Sequence, residues 1–297
     1  MKPLLERLNA GETLVADGAM GTMLLQRGLD PGKCPELLNL EKPELLEEIA
    51  GLYLDAGADF IETNTFGGSP LKLSQYGLED KTDAINRDAV RAVRKVVGDR
   101  AHVAACCGPS GRMLKPYGDT EPEAMYDSFR RQISCLIDAG SDAICIETMI
   151  DMAEATLAVK AAKDVSPSMP VTASMTFDAT PRGFFTIMGV TIENAATGLR
   201  EAGADVVGSN CGNGIENMIK IAREFRQCDN LPLIIQSNAG VPKMEEGRPV
   251  YGETAEFMAG KARELLSIGV SIIGGCCGTT PEHTRAIRNM VVSPATQ

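Results

Sequence analysis

The sequence predicts a single (β/α)8 barrel over residues 1–297, and three observations carry that expectation. First, one unit recurs: a helical stretch ending near a glycine, a short apolar run, then a polar or glycine-rich tip. It reads "LDAGADFIETNTFGG" at 54–68, "IDAGSDAICIETM" at 137–149, "REAGADVVGSNCGNG" at 200–214 and "LSIGVSIIGGCCGTT" at 266–280. The glycine suits the left-handed position that ends a helix, and a strand follows at once. Second, "TLVADGAMGT", "HVAACCGPSG", "PVTASMTFD" and "PLIIQSNAG" bring the candidate strands to eight. Their runs are nearly continuous in apolar or small residues, which suits parallel strands covered on both faces. Third, amphipathic stretches such as "EPEAMYDSFRRQISCLIDAG" and "TAEFMAGKARELLSIG" lie between them. The rival, a doubly wound nucleotide-binding sheet, calls for G-x-G-x-x-G after the first strand, and none is there. No linker or low-complexity run divides the chain.

In a barrel the chemistry belongs at the C-terminal ends of the strands, where the loops converge. The run at 13–18 ends in "DGAMGT" with Asp17, and the small residues after it expose backbone N–H groups to an anionic ligand. The run at 58–64 carries "ETNTF" with Glu62, Thr63 and Asn64, and that at 102–107 ends at Cys106 and Cys107. The run at 142–147 ends at Glu147; that at 170–176 leads toward "GFFTIMGVT" at 183–191, a candidate for the rim of an open mouth. Cys211 follows the run at 205–210, Asn238 follows 232–237, and Cys276 and Cys277 follow 270–275. Each lone carboxylate has a structural alternative, because a strand-end Asp or Glu also caps a following helix.

Cys211, Cys276 and Cys277 can form a zinc site that leaves a fourth, exchangeable position, the arrangement of catalytic zinc. Neighbours in a strand point to opposite faces, so Cys276 and Cys277 share a metal only if the chain turns sharply. Gly274, Gly275 and Gly278 permit that turn. The alternative is that the three thiols are small residues packed into the rim, since free cysteine is commonly buried. For the rival pair Cys106–Cys107, packing is the favoured reading. Cys34, Cys135, Cys145 and Cys228 fall on helices, loops or strand interiors. His102 opens a strand at the wrong end of the barrel and His283 lies in the first turn of the last helix, so histidine acid–base chemistry has little support.

A net charge of −11 without a basic patch argues against nucleic acid or an anionic membrane as partner. The N-terminus lacks the apolar core of a signal peptide and no run is long enough to cross a bilayer, which points to the cytoplasm. Nine cysteines are odd in number and, in that compartment, mostly reduced.

Taken together, "DGAMGTMLLQRG", "ETNTFG", "GPSG", "ICIETM", "GSNCGNG", "SNAG" and "GGCCGTTPEH" resemble the homocysteine S-methyltransferase family over nearly the whole chain. Within it, the likeness is greatest to the homocysteine-binding module of cobalamin-dependent methionine synthases. Betaine-dependent and S-methylmethionine- or S-adenosylmethionine-dependent relatives share the cysteine pattern. The resemblance implies a zinc-bound homocysteine thiolate that attacks an activated methyl group to give methionine. It implies Cys211, Cys276 and Cys277 as zinc ligands and Asp17 and Glu147 at the substrate ammonium. It further implies amides around Gly18 and Ala19 at the substrate carboxylate, and Asn238 as an alternative zinc ligand when the substrate thiol is absent. No second barrel for methyltetrahydrofolate and no corrinoid module follows, so the expected donor is a methyl-corrinoid on a separate protein or domain. Small-donor methyltransferase and non-enzymatic zinc- or thiol-binding barrel are the other two readings.

Overall fold

Eight parallel strands form where the apolar runs predict them: β1 (Leu14–Val15), β2 (Phe60–Glu62), β3 (His102–Cys107), β4 (Ala143–Met149), β5 (Val171–Met175), β6 (Val206–Asn210), β7 (Leu233–Ser237) and β8 (Ile272–Gly275). They belong to a computed structural model that describes residues 1–245 and 248–293. Hydrogen bonding runs β1-β8-β7-β6-β5-β4-β3-β2, all in parallel. A parallel bridge between Ala16 and Phe60 joins the two end strands and completes the ring. Helices between the strands wrap the outside, among them Pro43–Asp55, Thr82–Val97, Pro122–Asp138 and Ala255–Ile268.

The glycines of the recurring unit do what their spacing predicts. Gly57, Gly140, Gly203 and Gly269 have φ of 96°, 95°, 108° and 83°, so each turns the chain from a helix toward the next strand.

Strand periodicity divides the apolar residues between two cores. Val15, Ile61, Val103, Ile144, Val207, Ile235 and Ile273 face the helices and join the larger cluster. Leu14, Ala16, Phe60, Ala104, Ala143, Cys145, Val206, Ile234 and Ile272 form the smaller cluster inside the barrel. Helix Leu4–Asn9 supplies Leu4 and Leu8 to this inner cluster and so plugs its N-terminal mouth. Arg7 and Arg288 both bind the Asp59 carboxylate there, at 3.1 and 2.7 Å, tying the plug and the last helix to the start of β2. The inward positions turn polar toward the other end, at Glu62, Cys106, Glu147, Ser174, Asn210 and Gln236. An apolar floor under a polar mouth is what positions the site.

Two hairpins leave that mouth. Asp178–Thr180 pairs with Gly183–Phe185 after β5, and Lys243–Glu245 with Arg248–Val250 after β7. The segment expected at the rim, 183–191, lies in and beyond the first, and its Ile187 is 72% exposed. Among the described residues no helix is long and apolar enough to cross a membrane.

Candidate active site

One cavity of about 270 Å3 opens at the C-terminal end of the strands. Its lining includes Gly18 and Ala19 after β1, Glu62 of β2, Cys106 of β3, Glu147 of β4, Cys211 after β6, and Cys276 and Cys277 after β8. Residues separated by up to 259 positions thus meet at one point, because every strand delivers its tip to the same face.

The thiols of Cys211, Cys276 and Cys277 all lie within 4.8 Å of one another, with 3.7 Å between the sulfurs of Cys211 and Cys277. Two backbone devices bring them together. Cys211 itself adopts φ 61°, followed by Gly212 at 73°. A left-handed conformation at a non-glycine residue costs of order 1–3 kcal/mol and marks a place that the surroundings hold in position. On the other side β8 stops at Gly275 and the chain turns through Cys277 and Gly278, the latter at φ 81°. A Cβ on Gly278 would meet the Tyr251 ring at 2.2 Å, and one on Gly275 would meet Thr279 Oγ1 at 2.3 Å. The N–H of Ala239 donates to the Cys277 carbonyl at 2.9 Å, locking the loop after β7 to this turn. The cysteine cluster shares charge unevenly: hydrogen bonds from Cys211 and then Cys276 pull the Cys277 thiol down, while those with Cys211 and then Cys277 push Cys276 up.

A second group lies beside the first. Ligand atoms of Glu62, Cys106 and Glu147 are also within 4.8 Å of one another. The Cys106 thiol donates to Glu147 Oε1, and Asn210 Nδ2 donates to Glu147 Oε2 at 3.0 Å. The same Asn210 nitrogen is 3.9 Å from the Cys276 sulfur, so a single fully buried amide links the two groups. Its Oδ1 accepts from Thr148 N and Ser174 Oγ, both at 2.7 Å. Thr148, at φ 58° beside an irregularity in the β4–β5 pairing, is the other left-handed non-glycine residue among those described.

Asp17 is 1% exposed; its Oδ2 accepts from the Glu62 N–H at 3.0 Å and its Oδ1 has no partner. Neither it nor Glu147 caps a helix. The helix after β1, Met20–Gln26, has Ala19 at its N-cap without a side-chain bond, and the helix after β4 is capped by Asp151. Burial raises all three carboxylates above the usual range: next come the Glu62 charge at Asp17 and at Glu147, while bonds from Gln236 and Cys145 oppose the rise at Glu62. Cys106 is likewise pushed well up by burial and by Glu147, which keeps it a thiol.

The structure thus brings most of the expected residues together, with exceptions that matter; Asp17 does not line the cavity and reaches it through its bond to the Glu62 N–H. Ala19 N–H donates to Thr279 Oγ1 at 3.2 Å, so a substrate carboxylate must share or displace that contact. Asn238 is 3% exposed and does not line the cavity, although its Oδ1 is buried without a partner. Cys107 sits in the outer core, as the packing reading expects, whereas Cys106, likewise buried, faces inward and also lines the cavity. Consecutive residues of one strand face opposite ways. His102 opens β3 at the far end, and His283 bonds Thr280 and the Glu253 carbonyl as part of a helix cap. Sequence reasoning missed Asn210, Gln236 and Tyr251. The first two have a usable signal, being polar at inward positions of otherwise apolar strands; Tyr251, in a loop, has none.

Comparison with known proteins agrees with this geometry. The family model for homocysteine S-methyltransferase matches residues 14–291. The chain belongs to the homocysteine S-methyltransferase family. It is 32% identical to the methionine synthases of Mycobacterium leprae and Mycobacterium tuberculosis, covering 96% and 94% of this chain. It spans about a quarter of those relatives, 24% and 25% of their lengths. Among solved structures, the metallated homocysteine methyltransferase MmuM of Escherichia coli shares the fold, at TM-score 0.80 and 23% identity over 97% of this chain and 99% of that one. The apo form of MmuM aligns at TM-score 0.75.

Proposed function

We propose that this family member is a homocysteine-binding barrel, over 1–297, that methylates homocysteine to methionine with the help of one zinc ion. The observation that carries the reading is the clustering, in one small cavity, of the Cys211, Cys276 and Cys277 thiols beside the Glu62 and Glu147 carboxylates. Cys211, Cys276 and Cys277 would hold the zinc. Three sulfurs mutually within 4.8 Å fit the donor set of a site with one open position, and the unpartnered Asn238 Oδ1 fits an alternative ligand in the loop bonded to Cys277. When bound, zinc supplies a Lewis acid that keeps an incoming thiol ionised at neutral pH. Everything else is done by the chain. Asp17 and Glu147 bind the substrate ammonium, and Asn210 fixes Glu147 relative to Cys276. Backbone N–H groups around Gly18 and Ala19 meet the substrate carboxylate, the Ala19 N–H by sharing or giving up its contact with Thr279 Oγ1. With both ends of the amino acid held, its sulfur is directed to the mouth, where the methyl donor approaches.

The name methionine synthase borne by the mycobacterial relatives supports methionine as product. The resemblance to the homocysteine-binding module of cobalamin-dependent enzymes supports a methyl-corrinoid, presented by a separate protein or domain, as donor. Zinc-loaded protein and homocysteine are to be mixed in turn with methylcobalamin, S-methylmethionine, S-adenosylmethionine and betaine, following methionine and the cobalamin absorbance. Methionine from methylcobalamin is expected, slowly, because an undocked donor lacks the advantage of being held in orientation. Turnover with a small donor alone would replace the corrinoid assignment. Stoichiometric zinc with no methyl transfer from any donor would favour a zinc- or thiol-binding barrel.

A further inference from the structure

Three carboxylates converge beside the thiols from three different strand ends: Asp17 after β1, Glu62 at the end of β2 and Glu147 in β4. Among the described residues no Lys or Arg is bonded to any of them; their partners are Glu62 N–H, Gln236, Cys145, Cys106 and Asn210. Two polar atoms in the same place are buried without a partner, Asp17 Oδ1 and Gln236 Oε1, on residues each 1% exposed. Burying acidic oxygens together with orphaned polar atoms is costly unless a cation meets them.

Glu62 is central to this arrangement. Its backbone N–H holds Asp17, and its Oε1 is fixed by Gln236 Nε2 at 2.8 Å and faces the Cys145 sulfur at 3.4 Å. An oxygen of Glu62 lies within 4.8 Å of one of Glu147, and both residues line the cavity. Two acceptors each about 2.8 Å from one tetrahedral nitrogen stand about 4.6 Å apart. Two oxygens no more than 4.8 Å apart can therefore share one primary ammonium, which offers three N–H donors and one positive charge.

We propose that Glu62 is a specificity-determining residue of the amino-acid subsite, holding the substrate ammonium jointly with Glu147, with Gln236 positioning its carboxylate. This rests on the reading of the cavity as an amino-acid site and adds a residue to it. Specificity follows from the company the carboxylates keep. A ligand without the amino group leaves the Glu62 and Glu147 carboxylates unmet, a penalty a polar site imposes far more strongly than an apolar one.

The test uses the zinc-loaded chain 1–297 and two ligands without a free thiol: methionine, and 4-(methylthio)butanoate, which lacks only the amino group. In Glu62→Gln, calorimetric affinity for methionine should fall about 10- to 100-fold, the loss of a hydrogen bond to a charged group. Affinity for the deaminated ligand should change little, zinc should stay at one per chain, and the melting temperature should hold or rise because a buried charge is gone. Glu62→Asp, which keeps the charge but withdraws it, should lose less. Unchanged methionine affinity in Glu62→Gln, with a loss in Glu147→Gln, would overturn the role of Glu62 and leave the amino-acid reading intact. Equal losses for both ligands with a lower melting temperature would make Glu62 a rim support instead. A second zinc per chain that disappears in Glu62→Gln would make the cluster a metal site. Failure of the unmutated protein to bind methionine or homocysteine would remove the amino-acid reading and this proposal with it.

Discussion

The dipeptide Cys-Cys occurs twice at the C-terminal mouth, with opposite outcomes. Cys106–Cys107 closes β3 inside regular pairing with β4, so the pleat sends one thiol to the cavity and the other to the outer core. Cys276–Cys277 begins one residue past β8, where the pleat has ended and Gly278 turns the chain, so both thiols line the cavity. The difference teaches that whether two neighbouring thiols can act together depends on whether the strand hydrogen bonds continue through them. The second thiol pair also gains a third member, Cys211, by a second left-handed turn.

The sharpest way to break this comparison is to weigh the metal. Cys276→Ala and Cys277→Ala should lower zinc affinity by orders of magnitude, because a charged soft ligand is removed from a set of three. Cys106→Ala and Cys107→Ala should retain one zinc per chain, and metal analysis after dialysis against a graded chelator separates the cases. Full retention in either of the first two variants would refute the ligand set.

Next in size is the ammonium end. Asp17→Asn and Glu147→Gln should weaken binding of homocysteine by about 1.5–3 kcal/mol while leaving zinc in place, as expected for hydrogen bonds to charged groups. A thiol without an amino group should be far less affected. Equal loss for both thiols would show that these carboxylates support the fold or the metal.

The turn itself can be tested through its glycine. Gly278→Ala forces a side chain into φ 81° and against the Tyr251 ring, and should cost about 1–3 kcal/mol in stability with weaker zinc retention. Gly260→Ala is the control: it lies within helix Ala255–Ile268, where an added Cβ meets nothing within 4 Å, and should be neutral or stabilising by up to about 1 kcal/mol. Thermal melts and metal content read both.

The smallest effect concerns pH. Asp17, Glu62 and Glu147 have folded pKa values raised by burial, so the native state binds protons more readily than the unfolded chain. The penalty from these groups grows as pH climbs above about 4, the unfolded carboxylate range, and is complete above the folded values. Glu147→Gln should therefore gain melting temperature at pH 8 relative to wild type, by about 2–4 °C for each kcal/mol relieved, and gain less at pH 5. An equal gain at both pH values would show that the relief is not of charge.

How much was readable beforehand varies by residue. The eight strands were legible because apolar runs and helix-ending glycines are local signals, and both recur in register along the chain. Cys211, Cys276 and Cys277 were legible as strand-end residues, since the barrel rule converts position along a strand into position in space. Cys106 was grouped with Cys107, although both lie within β3, where the pleat sends consecutive residues to opposite faces. Asn210 and Gln236 were passed over although their inward register marked them. The sequence by itself determined the order of elements, the apolar floor and the chemical identity of the strand tips, all of which depend on near neighbours and on period. Tertiary structure alone decided which thiols share a point, that Asn210 links Glu147 to Cys276, and that Thr279 occupies the Ala19 amide. Those contacts join residues up to 260 positions apart, and their distances are set by ring closure and by single left-handed residues, which no local pattern encodes.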